Sequence, residues 1–149
     1  MLDYYRLPAD FPGMANRPKT VNPFARIRHV EQAIFSHFND QRFVPFLALH
    51  EFEAWVFWCP LTLPEVMTEP KKQPRFAAAC KGFQTPEQIN ERPGHNPAAL
   101  ITSIFPAYRK VLHGPTATER IGLPLIRSRC KHFHEWLGRV EAFAQHSQS

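Results

Sequence analysis

Several things are scarce in this chain, and each scarcity closes a class of function. The 149 residues hold six scattered glycines, so no Gly-rich loop is present to cradle a nucleotide phosphate. The three cysteines, Cys59, Cys80 and Cys130, are odd in number, far apart and in no C-x-x-C pair. That excludes a disulfide framework and favours a reduced, cytoplasmic setting. No apolar run approaches the length of a membrane span, and the start lacks the basic-then-apolar pattern of a secretion signal. There is no His-Glu-x-x-His zinc pattern and no internal repeat.

Proline, by contrast, is plentiful: the 15 residues imply many short elements with abrupt stops. A hydrophobic fraction of 44% with 13 phenylalanines argues for a folded protein, and residues 1–149 suit one domain with a sizeable core. The formal net charge of +5 admits an anionic partner, nucleic acid included, without demanding one.

The chain is organised around the run from Arg42 to Trp58. Phe43 to Leu49 reads as a buried strand that Pro45 keeps near an edge or a bulge. An apolar helix follows through Ala54, Trp55, Val56, Phe57 and Trp58, and His50, Glu51 and Glu53 stand at the junction. Carboxylates in such apolar company need a cation, a basic side chain or an open rim, because burying them unpaired costs several kcal/mol. Were the segment extended, Glu51 and Glu53 would share a face; were it helical, His50 and Glu53 would be i, i+3 neighbours. Either arrangement presents two ligands to one ion, and oxygen donors favour magnesium or manganese. The alternative is structural: both glutamates in a first helical turn, paired with Arg42 or another cation.

Elsewhere, Met1 to Tyr5 reads as the end of a strand, and residues 6–22 as a long irregular connection. Asn22-Pro23 starts a helix with Phe24, Ile27, Val30 or Glu31, Ile34, Phe35 and Phe38 at helical spacing, closed by Asn39-Asp40. Short helices are predicted near 61–67, over 74–80, after the Thr85–Gln88 capping box, and from Asn96-Pro97 to Phe105. A turn over 107–112 should stop at Gly114-Pro115, and a short helix should run over 116–121 with Gly122 closing it. The last helix spans about 131–144. Cys130, His132 and His134 would converge on a metal only if extended. Lys71, Lys72, Arg75 and Lys81 form the densest basic patch, around the helix 74–80. It admits a phosphate-facing role, but solvated lysines on a Pro-broken loop are commoner and no aromatic residues interleave as in a single-strand binder.

The blocks Asp3-Tyr4-Tyr5-Arg6-Leu7-Pro8, Asp10-Phe11-Pro12-Gly13, Arg42-Phe43-x-Pro45 and His50-Glu51-Phe52-Glu53-Ala54 occur in one order. They precede Phe105-Pro106-x-Tyr108-Arg109-Lys110, Gly114-Pro115, Ile121-Gly122-Leu123 and Cys130-x-His132-Phe133. Together they resemble the bacterial DUF 4276 family, a domain of unknown function usually described as Toprim-like. The resemblance implies an α/β layer in which acids at strand ends hold magnesium or manganese for phosphodiester chemistry. Members resemble parts of defence or mobile-element systems that work beside an ATPase. It places metal ligands at Asp3 and Glu53, with Glu51 beside them; in such a site Lys110 is the catalytic cation that would stabilise phosphate charge, with Arg42, Arg109 and His50 in support. The family's Val-Glu-Gly-x-x-Glu segment is absent. The expectation is therefore a predominantly helical α/β fragment: a truncated Toprim-like (Rossmannoid) domain with one clear strand, about 43–49, its leading strands missing.

Two functional readings follow. In one, the chain derives from a magnesium-dependent nuclease or phosphoryl-transfer component and is inactive alone. In the other it is a non-catalytic helical interaction subunit or gene remnant, with Trp55, Phe57 and Trp58 forming an exposed aromatic patch.

Overall fold

Prolines and Asn-Pro starts cut the chain into short amphipathic pieces, and helices accordingly dominate. The computed structural model describes residues 2–20, 22–49, 52–81, 85–88 and 97–146. In chain order the elements are β1 (Leu2–Asp3), α1 (Pro23–Phe38), β2 (Leu47–Ala48), α2 (Glu53–Trp58), α3 (Thr62–Val66), α4 (Gln73–Cys80), α5 (Pro97–Ile104), α6 (Lys110–Ile121), α7 (Leu123–Arg129) and α8 (Lys131–His146). Single 3-10 turns lie at Tyr4–Arg6, Pro70–Lys72 and Pro86–Gln88. Contacts divide the chain into two compact units: Met1–Leu49 with Lys131–Ser149, and His50–Cys130.

In the first unit, α1 begins and ends where its residues dictate. The Asn22 Oδ1 accepts from the Phe24 and Ala25 amides at 3.0 and 3.4 Å, with Pro23 at the first helical position. Asn39 adopts the left-handed conformation (φ 49°) and its N–H bonds the Phe35 carbonyl at 2.9 Å, closing the helix. Ile27, Val30 and Ile34 bury one stripe against Met14, Leu47 and Leu49. Gly13 (φ 81°) lets the 6–22 connection ride onto that helix, since a Cβ there would meet the Ala33 Cβ at 2.7 Å.

β1 and β2 pair in parallel, Leu2 opposite Leu47 and Asp3 opposite Ala48. Parallel strands need a crossover, and α1 lies between them in sequence. The strand expected over 43–49 is thus reduced to Leu47–Ala48, and it is not alone, because β1 is its partner. The backbone before it is engaged elsewhere: Pro45 has no N–H, and the Val44 carbonyl accepts from the Trp136 indole Nε1 at 3.1 Å. The Leu2 N–H reaches the Phe46 carbonyl at 3.3 Å, where the ladder starts.

The second unit is entirely helical among the described residues. Phe57, Phe76 and Phe105 meet edge to face, with centroids 5.4 and 5.5 Å apart, and Leu63 and Ile101 fill in around them. Each such side chain, fully buried, contributes on the order of 1.5–3 kcal/mol. Gly114-Pro115 does not stop a helix, contrary to expectation: α6 runs through both. Pro115 lies one turn in, forgoing only the bond to the carbonyl of Val111, a residue that is 87% exposed. Gly114 is needed for contact, since a Cβ there would stand 2.4 Å from Phe52 Cζ. Gly122 has a positive φ of 80° but an extended ψ, and α7, which the pattern did not predict, follows at once. The expected aromatic patch is not formed: Phe57 is fully buried, and Trp55 and Trp58 are half-buried. Where a helix is expected after the capping box, the described residues hold the 3-10 turn Pro86–Gln88, and residues 89–96 lie outside them.

Candidate functional site

Glu53 is the first residue of α2, where a carboxylate complements the helix dipole. Its side chain is 0% exposed, and its Oε2 lies 2.9 Å from the Lys110 ammonium. Lys110 opens α6 and is itself 43% exposed, its Nζ set 5.0 Å from the centre of the Phe52 ring. Phe52 packs on Gly114, so the block Phe52-Glu53 and the stretch from Lys110 to Gly114 form one compact joint. A buried carboxylate has thus found its cation, the second of the two arrangements open to it, with Lys110 rather than Arg42 as partner.

Arg42 instead grips Asp40, donating from its Nε and Nη2 at 3.0 and 2.7 Å and from its amide at 2.9 Å. Those hydrogen bonds hold the Asp40 carboxyl down at about 2 and raise the guanidinium in turn. Arg109 precedes α6 and donates its backbone N–H to His113 Nδ1 at 2.9 Å. Asp3, half-buried, ends β1. His50 and Glu51 lie outside the described residues.

Magnesium keeps several waters and takes exposed carboxylate oxygens. Glu53, enclosed and matched by an ammonium, does not fit that donor set. Among the described residues no three His, Cys, Asp or Glu side chains converge. His132 is buried while His134 is exposed, and burial pushes the Cys130 thiol up, so that trio holds no common face. In the basic patch, Lys72 lies 5.4 Å above the Phe105 ring and pairs with Glu69.

The first unit contains a second buried pair that the pattern did not foresee. Glu31 Oε1 accepts from the Leu47 amide at 2.8 Å and from His132 Nε2 at 2.9 Å. The imidazole is stacked on Phe46, 5.2 Å between centroids and 20° between planes. One carboxylate therefore ties α1, β2 and α8 together. The signal for it was present: Glu31 falls in the apolar stripe between Ile27 and Ile34, where a charge needs a partner.

The described residues are mostly helical with one short two-stranded parallel sheet, and two buried carboxylates, Glu31 and Glu53, each meet a basic side chain. The chain belongs to the family described as Domain of unknown function (DUF4276), which matches residues 1–141. Neither a curated protein nor a solved structure matches it.

Proposed function

We propose that this chain is a Toprim-like relative of magnesium-dependent nucleases that does not itself cut phosphodiesters. The parallel β1–β2 pair, joined through α1 with Asp3 at the carboxyl end of its strand, supports the Toprim-like part of the reading. The burial of Glu53 against Lys110 carries the second part, because it closes to a hydrated cation the acid that the family resemblance assigns as a ligand. Work beside an ATPase in a bacterial defence or mobile-element system belongs to the same proposal and rests on the motif resemblance.

The test is incubation of the purified chain with plasmid DNA, single-stranded DNA and single-stranded RNA in magnesium or manganese. The expected result is no cleavage above buffer. Metal-dependent cleavage that disappears in a folded Glu53→Ala variant would overturn the proposal.

A further inference from the structure

Two helix faces in the first unit are polar where helix packing would make them apolar. On α1, Arg28, Glu31, Gln32 and Phe35 stand at i, i+3, i+4 and i+7, a single face. On α8, His132, Glu135, Trp136 and Arg139 repeat that spacing. These two stripes, with Pro45, line a cleft of about 250 Å³. Arg28 pairs with Glu135 at 2.6 Å and Glu31 with His132 at 2.9 Å, so numbering rises along one helix as it falls along the other.

Those pairs engage each other within the cleft, and three features remain. Arg139 has no ion pair or hydrogen bond among the described residues, so its guanidinium is left uncommitted at the cleft. Glu31 spends Oε1 on both of its donors, leaving Oε2 as an acceptor in the wall. The Trp136 indole is fixed in orientation by its bond to the Val44 carbonyl and by Phe46, 5.0 Å away, and presents its remaining surface to the cavity. An anion site, an acceptor for an amino group and a rigid flat apolar wall therefore border one space.

We propose that this cleft binds a nucleotide whose base carries an exocyclic amine. The base lies against Trp136, the amine donates to Glu31 Oε2, and the phosphate is held by Arg139. A free nucleoside monophosphate and the phosphorylated end of a single strand share this chemistry. The cleft uses none of Asp3, Glu53 or Lys110, so it is independent of whether the chain cuts phosphodiesters.

The experiment is calorimetric titration of the full chain with adenosine 5′-monophosphate, repeated with inosine 5′-monophosphate, inorganic phosphate and the Arg139→Gln variant. Saturable binding of the adenine nucleotide is expected. Loss of the amine in the inosine compound and loss of the guanidinium in the variant should each weaken it about tenfold. Because Arg139 is exposed and unpaired among the described residues, R139Q should melt as the parent does. A 5′-phosphorylated oligoadenylate that competes with the mononucleotide assigns the strand end, and one that does not assigns the free nucleotide; both support the site. No saturable heat from folded protein overturns the proposal. So does unchanged affinity in R139Q, or inorganic phosphate competing as well as the nucleotide.

Discussion

Glu53 Oε2 and Lys110 Nζ stand 2.9 Å apart, the carboxylate wholly enclosed and the ammonium reaching solvent. The asymmetry sets what each substitution does. Lys110→Met leaves a buried charge without its counter-ion and should destabilise by on the order of 2–3 kcal/mol. That is below the figure for a fully enclosed pair, because Lys110 is partly exposed. The Glu53→Gln, Lys110→Met double variant should recover part of the loss. Urea unfolding of all four proteins in the cycle measures the coupling, and additive losses would show that the pair contributes nothing as a pair.

Gly114→Ala should destabilise by about 1–3 kcal/mol, although alanine is the better helix former by about 1 kcal/mol. The new methyl would meet the Phe52 ring at 2.4 Å. A thermal melt decides, and a rise in melting temperature would mean that Phe52 can move aside.

Glu31→Ala strips a shared acceptor from two buried donors, the Leu47 amide and His132 Nε2. A loss of about 1–3 kcal/mol per orphaned donor is expected. Glu31→Gln keeps an acceptor oxygen and should lose less. Hydrogen exchange at the Leu47 amide should accelerate in the alanine variant alone.

Burial raises all three thiols above their ordinary range, Cys80 to about 12, so at pH 8 the neutral thiol prevails. Cys80 also donates its S–H to the Phe57 carbonyl at 2.7 Å. Iodoacetamide should label the native protein slowly, Cys59 first, and all three rapidly in denaturant. Peptide mass mapping gives the order, and early labelling of Cys130 would contradict the packing around it.

Asp40 should titrate near 2, with Arg42→Ala returning it toward 3.8. Its folded value is depressed, so whatever stability it contributes is present above the unfolded value. That contribution is lost as pH falls toward 2. Carbon-detected NMR of the side-chain carboxyl follows the titration directly.

The helices with strong local grammar were legible in the sequence. Asn22-Pro23, the Ile27–Val30–Ile34 spacing and Asn39 define α1 without reference to anything distant, and the stripe through Phe133 and Trp136 defines α8. Residues 43–49 were less so. Their apolar run announces burial, but only Leu47 and Ala48 find a partner strand, in β1, while the Val44 carbonyl is taken by Trp136 from the far end of the chain. Gly114-Pro115 was misread for the same reason, because its local chemistry says stop while the Phe52 ring requires the glycine where it is. Of the candidate site, the residues could be named but their partners could not. Lys110 and Glu53 each stood out, and nothing local joins them. His132 and Glu31, 101 residues apart, meet only after folding.

The first unit borrows its last helix from beyond the second: Met1–Leu49 is completed by Lys131–Ser149, whereas His50–Cys130 is continuous. During synthesis, at roughly 5–20 residues per second, the continuous unit has all its parts about 1–3 seconds before the other has received the whole of α8. β2 is made long before the imidazole that shares its carboxylate. The order of assembly is thus fixed by topology, with the local unit first and the interrupted one last. A ribosome that stops before residue 131 would release a chain in which one unit is whole and the other cannot close.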